Sequence, residues 1–101
     1  MSDKTACRTP AKGRDGVTNI PTWKFDLIRG VLLDLLAKED IPFSELTRRV
    51  GSKLSAEQKQ ALGSVGWHMT TVKLEMEVRG ELSRLKGSSP QIVTLGAAKT
   101  G

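Results

Sequence analysis

The residues of this chain with the most evident chemistry are basic side chains, which can pair with phosphates or with an acidic partner. The 101 residues include 16 Lys and Arg against 11 Asp and Glu, a formal net charge of +5. The positive charges are scattered along the chain, so a solvated basic surface is the alternative to a binding site. The candidates for contacts with nucleic acid are Arg48, Arg49, Lys53, Lys73, Arg84 and Lys86.

Catalytic chemistry has little support in the sequence. His68 is the one histidine and Cys7 the one cysteine, whereas a nucleophile with its base, or a zinc site, needs several such groups. The run Gly63-Ser64-Val65-Gly66 lacks the lysine and the spacing of a phosphate-binding loop. We therefore expect no enzyme activity, no metal, no cofactor and no small-molecule substrate.

A helix between Ser64 and Gly80 is the central element that the sequence predicts. Ser64 can cap its start, and Gly80 can end it. At about 100° per residue, two apolar stripes lie on roughly opposite sides of this helix. The first stripe comprises Val65, Met69, Val72 and Met76, and the second comprises Trp67, Thr71, Leu74 and Val78.

The second stripe has two interpretations. Either both stripes are core and the helix is wedged between two others, or Trp67, Leu74 and Val78 are partly exposed and bind a protein partner or a second copy of the chain. Trp23 and Trp67 are expected to pack in the core rather than stack on bases. Each of the narrow polar sides between the stripes carries a glutamate, which suits contact with phosphates poorly.

Further helices and a closing hairpin surround this helix. In chain order we expect a helix over 22–38, a short extended piece at 41–43, a helix from residue 44, a short helix over 55–62, the central helix, and strands over 82–85 and 91–95 around a turn at 86–90. Thr22 and Ser44 are the expected caps of the first two helices, and Ser55 with Gln58 forms a capping box.

The ends of the chain differ in composition from its middle. Residues 1–21 are polar and basic without an apolar period, so we predict a flexible arm, either solvated or following phosphates. Residues 22–95 form the predicted domain, and residues 96–101 a flexible tail. Because no run approaches the ~20 apolar residues of a membrane span and no signal-like segment opens the sequence, we expect a cytoplasmic protein without a membrane partner.

The exit from the central helix resembles that of a winged-helix domain of the helix-turn-helix class. Val72, Met76, Gly80, Leu82 and Arg84 carry the likeness, as an apolar residue four before a glycine followed by x-aliphatic-x-Arg. The stretch 66–82 is also similar to a small uncharacterised bacterial family with a Gly-Trp-Trp start. This chain departs from that family with His68 at the position of the second Trp and with Lys73-Leu74-Glu75-Met76 in the centre.

The resemblance implies a mainly α fold in which three to four helices are followed by a two-stranded wing. In this class the third helix enters the major groove, and the wing touches phosphates or the minor groove. We therefore expect a non-enzymatic winged-helix domain that binds duplex DNA weakly, as a small regulator. The alternative is a protein-interaction or dimerisation module that uses the second stripe.

Overall fold

Four α-helices and two small antiparallel sheets make up the computed structural model, which describes residues 3–9, 16–84 and 91–96. In chain order the elements are β1 (Lys4–Thr9), β2 (Gly16–Pro21), α1 (Thr22–Leu36), β3 (Ile41–Pro42), α2 (Phe43–Ser52), α3 (Ala56–Leu62), α4 (Val65–Val78), β4 (Leu82–Arg84) and β5 (Ile92–Leu95). The predicted succession of four helices and two closing strands is present. The predicted turn over 86–90 and the tail beyond residue 96 lie outside the described residues.

The N-terminal region is ordered as a hairpin. The prediction of a flexible arm over residues 1–21 is wrong for its described part, because β1 and β2 pair antiparallel with Cys7 opposite Thr18 and Thr5 opposite Ile20. The side chains of Cys7 and Ile20 are only 1% and 2% exposed. An isolated two-stranded hairpin is marginal in water, so the packing of these side chains against the helices holds it in place. Charge and polarity on the outer face hid this alternation in the sequence.

The second sheet joins the closing strands to the piece between the first two helices. Its strand order is β3-β5-β4, with Ile41 and Arg84 both opposite Val93 on the central strand. Ile41, Val93 and Leu82 are buried at 2% exposure or less. The brief extended stretch before Phe43 is therefore a short edge strand that ties the helices to the closing strands.

Helix α4 lies at the centre of the fold, in contact with β1, α1, α2 and α3. The first stripe of α4 is core as predicted, since Met69, Val72 and Met76 are at most 1% exposed and Val65 is partly buried against the same cluster. Helix α1 meets this core with its own buried side chains, which are Phe25, Ile28, Leu32, Leu35 and Leu36.

Two of the predicted helix caps are present and two are replaced. Ser55 and Gln58 form the expected capping box, and the hydroxyl of Ser64 accepts a hydrogen bond from the Trp67 N–H. Helices α1 and α2 instead begin directly after prolines, with no side-chain cap. For α1 the reason is a tertiary contact: the hydroxyl of Thr22 is hydrogen-bonded to that of Thr5, at 2.9 Å, which ties the helix start to β1.

Gly80 ends α4 and fixes the closing strands. Its φ of 80° lies in the left-handed region, and the N–H groups of Gly80 and Glu81 donate to the carbonyls of Glu77 and Met76, the pattern of a Schellman motif. Gly96 is buried against this turn and donates to the Glu81 carbonyl at 2.8 Å. Gly96 therefore belongs to the folded domain, and the prediction of a flexible tail from residue 96 is wrong at its first residue.

The contact between Gly96 and Gly80 predicts a large steric effect. In Gly96→Ala the new Cβ would lie within 2.9 Å of the Gly80 carbonyl carbon and closer still to its oxygen. Backbone cannot move aside cheaply, so we expect a loss of about 2–3 kcal/mol in the free energy of unfolding, measured in urea. Gly30→Ala is the control: nothing lies within 4 Å of its Cβ, and removing an exposed helical glycine should add about 0.5–1 kcal/mol. Equal effects of the two substitutions would contradict this packing.

Candidate interaction surface

The second stripe of α4 lies on the outside of the molecule. Trp67 is 49% exposed and Val78 38% exposed, while Thr71 and Leu74 between them are half-buried. We call these four residues the outward face of α4. Of the two interpretations of this stripe, the partly exposed one matches the observed accessibility. The expectation that Trp23 and Trp67 pack in the core is wrong, because they are 46% and 49% exposed.

A buried carboxylate anchors the hairpin along one flank of the outward face. The side chain of Glu75 is 1% exposed. Its Oε1 accepts the backbone N–H of Arg8 at 2.8 Å and the Nε–H of the same arginine at 3.1 Å. Its Oε2 accepts from Arg8 Nη2 at 2.8 Å and from Arg79 Nε at 2.7 Å. Helix α4 and strand β1 are thereby joined through a carboxylate whose two oxygens are both satisfied.

These contacts decide the ionisation of the buried groups. Burial raises the pKa of the Glu75 carboxyl, but the hydrogen bonds from Arg8 and Arg79 outweigh it and lower the pKa to about 2. Burial, reinforced by the Glu75 charge, raises the pKa of the Cys7 thiol. The thiol is therefore a neutral packing group. In the same cluster, the guanidinium of Arg79 lies over the Phe25 ring, 4.7 Å from the ring centroid.

The other flank of the outward face carries a second ion cluster. Lys73 is 3% exposed, with Nζ 2.6 Å from Glu77 Oε2 and 4.8 Å from the centroid of the Phe43 ring. Arg84 Nε lies 3.8 Å from the same carboxylate oxygen. Glu77 Oε2 has no hydrogen bond of good geometry, so these contacts are electrostatic. Lys73 was predicted to contact phosphates, but its side chain is buried and cannot reach a phosphate group.

The two flanks give the outward face positively charged borders. On each flank two cations surround one carboxylate, so one positive charge is left over. The most accessible cation of each cluster is an arginine, Arg8 at 55% and Arg84 at 53% side-chain exposure. The surface is thus an apolar ridge with a basic rim on either side. Sequence reasoning missed Arg8 because it did not predict β1, and it missed Arg79 because the cluster that Arg79 joins around Glu75 depends on that strand.

The remaining predicted cations do not converge on this surface. Arg48 pairs with Glu45 at 3.0 Å, within its own helix, and Arg49 pairs with Glu39 at 2.7 Å. Lys53 is exposed at the end of α2 and lines a groove of about 420 Å³ with residues of α1, which are Asp26, Leu27, Gly30, Val31 and Asp34. Lys86 lies outside the described residues.

His68 has a structural role. It is 8% exposed, its Nδ1 lies 2.7 Å from the carbonyl oxygen of Ser64, and its ring meets that of Trp67 edge to face. Within the described residues, no three His, Cys, Asp or Glu side chains are grouped so as to hold a metal ion. In the same part of the chain no helix has the length and apolar character needed to span a membrane.

The Glu75 cluster predicts a specific dependence of stability on pH. The pKa of Glu75 is lowered from 4.5 to about 2 in the folded state, so its contribution is complete above pH ~4.5 and is lost as the pH falls towards 2. The contribution is at most roughly 3 kcal/mol. Glu75→Gln should therefore lower the free energy of unfolding by roughly 2–3 kcal/mol at pH 7 and flatten its decline below pH ~4.5.

The matched control is Glu45→Gln, which removes a carboxylate from the exposed pair with Arg48. We expect it to change stability by less than about 0.5 kcal/mol. Urea unfolding from pH 2 to pH 7 measures both variants. An unchanged pH profile in Glu75→Gln would contradict the role given to this carboxylate.

A comparison with known proteins places the chain in a family. Among curated proteins and solved structures, nothing matches the chain. The profile of a family of unknown function (DUF6958) matches residues 4–93. The match runs from β1 to β5 and so includes the N-terminal hairpin as well as the helices. Because it covers most of the sequence, the chain belongs to this family of unknown function.

Proposed function

We propose that this protein is a non-enzymatic interaction domain whose outward face of α4 binds an acidic amphipathic helix of a partner protein. The observation that carries the proposal is the exposure of Trp67, at 49%, in an apolar ridge between two basic rims. A large exposed aromatic side chain costs little entropy to order and is typical of the anchor residues of interfaces. The proposed location is the cytoplasm, which fits a sequence with a single cysteine.

The spacing of the outward face favours a helix as the occupant. Trp67, Thr71, Leu74 and Val78 follow one another at steps of four, three and four residues. This is the spacing at which two helices pack side by side, each placing apolar residues between those of the other. A partner helix with an apolar stripe of the same period would cover the ridge along its length.

The charges beside the ridge favour an acidic partner. Arg8 and Arg79 border one side and Arg84 the other, and each cluster has one positive charge in excess. Carboxylates flanking the apolar stripe of a partner helix would meet these arginines. A second copy of the chain is a poorer match, because two basic rims would face each other across the interface.

A peptide titration tests this proposal. Trp23→Phe leaves Trp67 as the only tryptophan. We expect a synthetic helical peptide with an apolar stripe and glutamate flanks to shift the Trp67 emission to shorter wavelength, since docking removes the indole from water. A peptide with the same stripe and lysine flanks should bind at least about tenfold more weakly. Binding of the acidic peptide should weaken as salt rises.

Variants at matched sites complete this experiment. Leu74→Glu should weaken binding of the acidic peptide about tenfold or more, because it places a like charge in the ridge. In a fluorescence-anisotropy version with labelled peptide, Trp23→Glu is the control, since Trp23 is equally exposed but lies on α1. Equal binding of the acidic and basic peptides, or an unchanged affinity in Leu74→Glu, would contradict the proposal.

A second candidate function, DNA binding by a winged-helix domain, is favoured by the topology. A short strand after the first helix pairs with the second of two closing strands in the order β3-β5-β4, and α4 ends in a glycine before those strands. The outward face, which would meet the major groove in such a domain, carries no Arg, Lys, Asn or Gln. These are the side chains that read bases. On this face, such binding would therefore lack base contacts of that kind and would depend on phosphate contacts from the basic rims.

Fluorescence anisotropy with a labelled duplex tests this second candidate. If the domain binds DNA, we expect binding that has no sequence preference and that weakens steeply between ~50 mM and ~200 mM salt. Arg84→Ala should reduce the affinity, whereas Arg48→Ala should have a smaller effect, because Arg48 is paired with Glu45 within α2. A lack of binding at the lowest salt would rule this candidate out.

A further inference from the structure

The two outer edges of the N-terminal hairpin differ in whether their backbone groups have hydrogen-bond partners. The outer edge of β1 faces α4, where the Arg8 N–H donates to Glu75 at 2.8 Å. The outer edge of β2 has no such cover: among the described residues, no partner accepts the N–H of Val17 or Asn19. One edge is closed by a buried carboxylate, and the other presents open backbone groups.

The register of the hairpin identifies which backbone groups are open. Thr22 N–H donates to the carbonyl of Asp3, and the Arg8 N–H points away from β2. Antiparallel pairs alternate between those that exchange hydrogen bonds and those that do not. The pair of Arg8 with Val17, and that of Ala6 with Asn19, therefore direct their backbone groups outward.

The open edge is also uncharged and partly apolar. Strand β2 reads GVTNIP, with no charged residue, in a chain with a net charge of +5. Val17 is 55% exposed. Natural proteins usually protect an exposed edge with lysine, an inward charge, a bulge or a covering element. Within the part of the chain that the structure describes, none of these protects positions 17–19, and the proline stands only at the end of the strand.

We propose that β2 pairs with β2 of a second copy of this chain, antiparallel about a two-fold axis at Thr18, to form a four-stranded sheet. In this register Val17 of each copy lies opposite Asn19 of the other, and these two pairs exchange about four hydrogen bonds. Thr18 lies opposite its own copy, a favourable cross-strand pair. The interface is isologous, as in most homodimers.

Charge explains why a second copy fits this edge. The β2 strands carry no charge, so the paired strands themselves do not repel each other. Among the described residues of the hairpin, the exposed cations are Lys4 and Arg8, and both lie on β1. In the dimer the two β1 strands are three strand spacings apart, about 14 Å, which exceeds the ~8 Å screening length at physiological salt. The interface is small, so the dimer is weak and depends on concentration.

Sedimentation equilibrium over a wide range of protein concentrations tests the proposal. Asn19→Pro removes the outward N–H without touching the hydrogen bonds of β1 with β2, and it should raise the dimer dissociation constant tenfold or more. Val17→Lys should do the same by placing charge at the axis. Ala6→Lys is the matched control, since it adds the same charge to the exposed face of β1 and should leave dimerisation intact.

The dependence on salt and a further variant separate this dimer from the other proposals. Because each chain is positive, dimerisation should strengthen as salt rises, whereas binding of an acidic helix or of DNA should weaken. Leu74→Glu should leave the dimer unchanged. Thermal unfolding of each variant establishes that it is folded. The proposal is overturned if the wild type stays monomeric at every concentration, or if Leu74→Glu dissociates a dimer that Asn19→Pro and Val17→Lys preserve.

Discussion

The pairing of the Glu75 carboxylate with Arg8 and Arg79 is the interaction on which the rest of this structure depends. Removing a charged carboxylate from water is costly, and here the cost is offset because both oxygens accept hydrogen bonds from charged donors. The same carboxylate accepts the backbone N–H of Arg8. It therefore fixes the position of β1 on α4 and closes an edge that would otherwise be open to strand addition.

The docked hairpin determines which part of the central helix meets solvent. Helix α4 is enclosed by β1, α1 and α2, and what remains is the outward face with Trp67 at its start and Val78 at its end. The ion clusters of Glu75 and Glu77 border that face, so it is apolar in the middle and positive at its rims. This combination suits an acidic helix better than the base edges of DNA. The cluster around Glu75 thus both anchors the hairpin and supplies one basic rim of the proposed binding surface.

The helical part of the fold could be predicted from the sequence, because local signals specify it. The capping box of Ser55 and Gln58, the serine before α4 and the glycine after it are all in place. The hairpin could not, because its order comes from long-range contacts between a polar strand and α4. The candidate site was likewise predicted only in part. Periodicity identified the second stripe, but no local pattern in the sequence links Arg8 to a glutamate 67 positions away.

Amide hydrogen exchange at Arg8 tests most directly whether Glu75 holds the hairpin on α4. The Arg8 N–H points away from β2, so only Glu75 can protect it within the described structure. We predict slow exchange at Arg8, comparable with that of the core of α4, and a return to rapid exchange in Glu75→Gln. Rapid exchange at Arg8 in the wild-type protein would contradict the claim that the buried carboxylate holds the hairpin on the central helix.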